Sequence, residues 1–241
     1  MFKYLYVFLL SSMISANENI EQYHQIMINY PPKDIIHTLH EIGLEIDHFT
    51  FENEGEVLEL VVSDSDIQKL NKSEIDYSII VHDLSSFYQS RFTSTMDSRE
   101  FPDGSMSGYY TFDEVVELID NYHADFPDIV GEKISIGTTI EGRNIWAFKV
   151  SDNPDIDEDE PEVLYTGLHH AREPMSMMNL IYFINYLTEN YNLNNEAMHL
   201  VNNRELWFVP VVNPDGYVYN ETIAPSGGGM HRKNRRSNGC S

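Results

Sequence analysis

A single cysteine, Cys240, excludes an intrachain disulfide within these 241 residues. Stability must come from core packing, and a chain of this length has the apolar residues for it. Positive charge is also scarce. Fifteen Lys and Arg stand against 39 Asp and Glu, a formal net charge of -24. Such a chain repels nucleic acid, which excludes that class of partner. Beyond the N terminus no apolar run is long enough to cross a bilayer. No segment repeats at a period of about 20–50 residues.

The one apolar run lies at the start. Met1-Phe2-Lys3-Tyr4 carries one lysine, Leu5 to Ile14 is apolar, and Ser15-Ala16 offers small residues for cleavage. This layout is that of a secretory signal peptide over residues 1–16, and it places the protein outside the cytoplasm, secreted or periplasmic. A buried N-terminal helix is the competing reading.

Residues 26–82 alternate in type. Ile26–Ile28, Ile46–Phe51, Val57–Val62 and Tyr77–Val81 read as strands. Lys33–Ile42 and Asp64–Leu70 read as helices, the second with Ser63 as N-cap. Strand-helix-strand-strand-helix-strand is the split βαβ, ferredoxin-like order. A small α+β domain is therefore expected over 17–84. The serine-rich stretch 85–107, with Arg91 and Arg99, reads as an exposed, easily cut linker.

From residue 108 the pattern changes. Asp113–Phe126 is an amphipathic helix, and Ile134–Gly137 and Ile145–Val150 form a hairpin across the turn Glu141–Asn144. The acidic loop Asp155–Glu160 does not fit an EF-hand and reads as a solvated turn rather than a calcium site. Val163–Leu168 is a short buried strand, and Pro174 suits the first position of a helix running to about Asn190. Met175, Met178, Ile181, Tyr182 and Leu187 would share its buried face. The methionines read as core rather than as a copper or haem site.

Between that strand and helix stand His169, His170 and Glu173. Zinc takes imidazole nitrogen and carboxylate oxygen at about 2.0–2.2 Å. At helical spacing either histidine could face Glu173. A second strand, Glu205–Val212, ends in the turn signal Asn213-Pro214-Asp215-Gly216. A glycine-rich loop then leads to His231-Arg232-Lys233-Asn234-Arg235-Arg236. The bland reading of this basic run is a solvated loop.

His-x-Arg-Glu after a strand, Asn-Pro-Asp-Gly-Tyr after a strand, and Arg-Lys-x-Arg about sixteen residues on resemble the zinc metallocarboxypeptidases of the carboxypeptidase A/T type. So does Ile-Gly-x-x-x-Glu-Gly-Arg at residues 136–143. The resemblance implies His170 and Glu173 as metal ligands and one Zn2+ per catalytic domain. It implies that Arg172 binds substrate and that catalytic Arg232 polarises the scissile carbonyl, although His231 replaces the family's usual aromatic residue. It leaves His169 no ligand role. It also implies an α/β catalytic domain over 108–241, a mixed β-sheet with helices on both faces, incomplete in this chain. The ferredoxin-like α+β unit would then be an inhibitory prodomain, the bland reading being a permanent accessory domain.

In that family the third ligand, the residues gripping the terminal carboxylate and the general-base glutamate fall beyond the position matched by Ser241. The 241 residues are thus expected to be the front part of a larger enzyme and not to catalyse alone. The expected function is removal of C-terminal residues from peptides or proteins by metal-activated water, with an activating protease as a further partner. The alternatives are a zinc amidase or deacylase on the same scaffold, and a non-catalytic binding protein that keeps the fold.

Overall fold

Along Tyr23–Asn29 (β1) side chains alternate between core and surface, with Ile26 and Ile28 turned inward, so this segment can be covered on one face only. The computed structural model of the protein describes residues 21–46, 49–91 and 103–237. The expected signal peptide, Arg99 and Cys240 lie outside the described residues.

After β1 come Ile35–Glu41 (α1), Phe49–Glu52 (β2), Val57–Ser63 (β3), Asp64–Leu70 (α2) and Ser78–Val81 (β4). At the start of α2, Ser63 Oγ accepts the Asp66 amide while Asp66 accepts the Ser63 amide, a capping box. The strands pair antiparallel in the order β2-β3-β1-β4, which is the split βαβ arrangement. Ile26, Leu39, Leu58, Leu60 and Leu70 build its core. Leu84–Gln89 (α3) is a helix, so the segment expected to be linker from residue 85 begins inside an ordered element. Asp83 caps it, accepting the Ser86 amide at 3.0 Å, a local signal easily lost among serines.

The second unit begins with Phe112–Asp125 (α4), opened by a Thr111/Glu114 capping box. Ile134–Thr138 (β5) and Asn144–Val150 (β6) form the hairpin. Glu162–Thr166 (β7), Pro174–Asn190 (α5), Asn195–Val201 (α6), Glu205–Val209 (β8) and Pro214–Ile223 (α7) follow. The sheet order is β5-β6-β8-β7; β7 and β8 run parallel and the other pairs antiparallel. Consecutive residues are buried in β6 and β8, so these central strands are covered on both faces. Phe208 is their hub, with ring centroids 5.7 Å from Phe148 and 5.2 Å from Tyr165.

Two local expectations need correction. Asn213-Pro214-Asp215-Gly216 is not a free turn but the start of α7: Asn213 Oδ1 accepts the Gly216 amide and Pro214 takes the first turn. In α5 the buried face is Met177, Ile181, Ile184 and Leu187, whereas Met175 and Tyr182 are exposed. The acidic loop is largely solvated, with Asp155, Ile156, Asp157 and Asp159 exposed. Asp152, Glu158 and Glu160 bring carboxylate oxygens within 4.8 Å of one another, and the Glu158 amide donates to Glu205. No helix among the described residues is long and apolar enough to cross a membrane.

The ion pair of Lys149 and Glu205 is enclosed on all sides. Lys149 Nζ donates to Glu205 Oε1 at 2.8 Å, with side chains 5% and 2% exposed. Burial pushes the Glu205 carboxyl up, but the Lys149 bond and charge, the Glu158 amide and Trp207 outweigh it and hold it below the usual range. Asp215 is likewise held low by Thr139, Arg143 and the Glu141 amide, against its own burial. A depressed folded value stabilises above the unfolded pKa of about 4.3 for Glu and 3.9 for Asp, and that contribution is lost as pH falls through the folded values. The share of the thermal midpoint owed to these two carboxyls should therefore be constant above about pH 5.5 and be lost on acidification below about pH 4.5. Glu205→Gln should show a shallower acid slope; an equal or steeper one would count against this account.

Candidate active site

Parallel pairing sets the carboxyl ends of β7 and β8 side by side, and in open α/β sheets ligands bind outside such ends. The two motif-bearing loops, 167–173 and 210–213, leave from there. They are knitted together at once: Gly167 N donates to Val209 O at 3.0 Å, Val212 N to Gly167 O at 3.0 Å, and Asn213 N to Leu168 O at 3.1 Å. Leu168 turns the chain with φ 52°, in the left-handed region. That conformation costs an L-residue about 1–2 kcal/mol. The side chain is 0% exposed, and burying a leucine is worth about 1.5–3 kcal/mol, which offsets it.

Beyond the turn, His170 Nδ1 lies 3.0 Å from Glu173 Oε1. Glu173 is the residue before α5, so a rigid 17-residue helix anchors it. Imidazole nitrogen and carboxylate oxygen are donors zinc accepts, and the side chains, 38% and 39% exposed, can be reached by an ion. These two residues fit two positions of a zinc site. The His169 side chain is exposed, and its carbonyl accepts from Asn213 Nδ2 at 3.2 Å.

The third motif folds back onto the first. Ala171 N donates to Arg232 O at 2.9 Å. Two further cations of the basic run face acids and a ring: Lys233 pairs with Glu45, and Arg235 lies 3.9 Å above the Tyr219 ring and 3.4 Å from Glu141 Oε1. His231 packs edge-on to Tyr219, with centroids 4.8 Å apart. Burial and the Arg235 charge lower its pKa, so it is neutral at neutral pH.

Helix α7 organises both loops. Asp215, 2% exposed, accepts from Thr139 Oγ1 at 2.7 Å, Glu141 N at 3.1 Å and Arg143 Nη1 at 2.8 Å, fastening the β5–β6 hairpin to the helix. That contact gives the Glu-Gly-Arg turn of the sequence a structural role. A cleft of about 340 Å³ lies over the site, lined by Arg172, Glu173, Tyr217 and Asn220 and also by Val61 and Tyr88 of the first unit. Arg172 lies 5.6 Å from the ring of Tyr23 in β1. Helix α3 meets the glycine loop, Gln89 Nε2 donating to Gly227 O at 2.8 Å.

The zinc carboxypeptidase family matches residues 115–241, more than half of the chain. The chain belongs to this family. It is 40% identical over 141 residues to a zinc carboxypeptidase of Saccharothrix mutabilis subsp. capreolus, covering 58% of this chain and 32% of that protein. It is 26% identical over 175 residues to rat carboxypeptidase A2, covering 70% of this chain and 41% of that one. Among solved structures, carboxypeptidase A from Helicoverpa armigera superposes with a TM-score of 0.68 at 21% identity, over 93% of this chain and 55% of that chain, a likeness of fold. The chain thus spans less than half the length of these two sequence relatives.

Membership in a zinc carboxypeptidase family makes the convergence of His170 and Glu173 the centre of interest. Sequence reasoning did not find Asn220, Asp215 or Tyr23. Asn220 lies in α7, a helix that the turn reading of Asn213-Pro214-Asp215-Gly216 conceals.

Proposed function

We propose that the full-length protein is an exported zinc carboxypeptidase, made as a precursor that its own N-terminal unit restrains. The observation that carries this reading is the approach of His170 Nδ1 and Glu173 Oε1 in a family whose name is its zinc chemistry. One zinc, held by these two residues and a further histidine of the full-length protein, would supply Lewis acidity and a water nucleophile at neutral pH. Arg232 would stabilise negative charge developing on the scissile carbonyl, as an oxyanion hole does. Arg172 would hold the peptide.

The restraint follows from what stands against the cleft. Arg172, needed for substrate, is engaged with Tyr23, and Val61 and Tyr88 form part of the wall. Residues 17–84 would act as prodomain, and cleavage after α3, where Arg91 is exposed, would release it. Peptides with a free C-terminal carboxylate should be shortened by the full-length protein, and peptides ending in an amide should not. Limited trypsin treatment should raise the rate. Equal rates before and after a confirmed cut at Arg91 would remove the prodomain part of the proposal. Equal turnover of amidated and free peptides would remove the carboxypeptidase part.

A further inference from the structure

Asn220 is 3% exposed and spends its side chain on backbone groups of two loops. Its Nδ2 donates to Ala171 O at 2.9 Å and to His231 O at 2.8 Å, and its Oδ1 accepts the His231 amide at 2.9 Å. Both Nδ2 hydrogens and one carbonyl lone pair are used. The glycine at 229 leaves the room this requires: a Cβ there would lie 2.7 Å from Asn220 Oδ1.

The two carbonyls are not arbitrary ones. Ala171 lies between His170 and the Arg172-Glu173 pair, and the His231 carbonyl belongs to the peptide bond that leads into Arg232. We propose that Asn220 is a positioning residue whose single amide sets the spacing between the loop of His170 and Glu173 and the loop of Arg232. The inference rests on the roles given to those residues above. Apart from it, the Ala171–Arg232 backbone bond joins the same two loops. A group held by two hydrogens of one planar amide cannot slide relative to the other without breaking a bond. Misplacement of about 1 Å at such a site costs about a hundredfold in rate.

The test uses the full-length protein with Asn220→Ala, Asn220→Ser, which keeps one hydrogen-bonding oxygen, and Val201→Ala as a cavity control on α6. Zinc affinity is read by competition with a chelator, and protection of the Ala171 amide by hydrogen exchange. Asn220→Ala should weaken zinc by about 10–100-fold, the range for residues that orient metal ligands. It should also expose the Ala171 amide, whose own acceptor is Arg232 and not Asn220. Asn220→Ser should fall between, and it decides the matter if the alanine variant does not fold. Val201→Ala should lower the melting point and leave zinc affinity and Ala171 protection unchanged. Asn220 variants that behave like Val201→Ala in both readouts would overturn the inference. A wild-type protein that binds zinc but cleaves no peptide would sink the proposed function and leave this test standing, and the exchange readout needs no metal.

Discussion

His170→Ala in the full-length protein is expected to lose its zinc and, with it, hydrolysis. Nδ1 of His170 is the nitrogen facing Glu173, at 3.0 Å. Loss of a direct ligand should exceed the about 10–100-fold that changes behind a ligand cost. His169→Ala, one residue earlier, should keep its metal. The His169 side chain is exposed, and its carbonyl, the part that Asn213 holds, survives the substitution. Metal analysis of the two purified variants decides between them. Full zinc in His170→Ala with loss in His169→Ala would exchange the two assignments.

Gly216→Ala should be nearly as damaging, although on an isolated helix the change would be favourable by about 1 kcal/mol. A Cβ at 216 would lie 2.4 Å from Lys233 O, 2.8 Å from the Ala171 Cβ and 2.8 Å from Asn213 Nδ2. The first of these is backbone and cannot rotate away. Forced overpacking costs about 1–3 kcal/mol and occasionally more, so the clash outweighs the propensity gain. Because the obstacles belong to the loops of His170 and Arg232, weaker zinc binding should accompany the lower melting temperature. Gly137→Ala is the control, since a Cβ there meets nothing within 4 Å and φ is not positive. A Gly216→Ala protein as stable as Gly137→Ala would show that the loops yield freely.

Much of this architecture was legible in the residues. Short apolar runs located the strands, and Pro174 marked the first residue of α5. Spacing brought His170 or His169 toward Glu173, although only the family resemblance chose between them. What escaped notice has common causes. Asn-Pro-Asp-Gly serves equally well as a turn and as a helix cap with proline in the first turn, so α7 was not seen, and Asn220 vanished with it. Asp215 and Asn220 act on groups tens of residues away in sequence, which no local pattern reports. Helix α6 is only 7 residues long, capped by Asn194 and buried through Ala197 and Val201, too little periodicity to stand out. Tyr23 gave no signal at all, because its meaning lies in the arginine opposite.

Leu168 brings two incompatible appetites to one position. The backbone, left-handed at φ 52°, would favour glycine, while the fully enclosed side chain asks for a large apolar residue. Glycine would relax the turn and leave a hole; isoleucine or valine would fill the hole and strain the turn further, being branched at Cβ. Asparagine would accept the turn and bury an amide. Random variation therefore has almost no neutral exit here. The residue just before the two histidines should look as immutable in a mutational library as a metal ligand, though its side chain is wholly enclosed in the core.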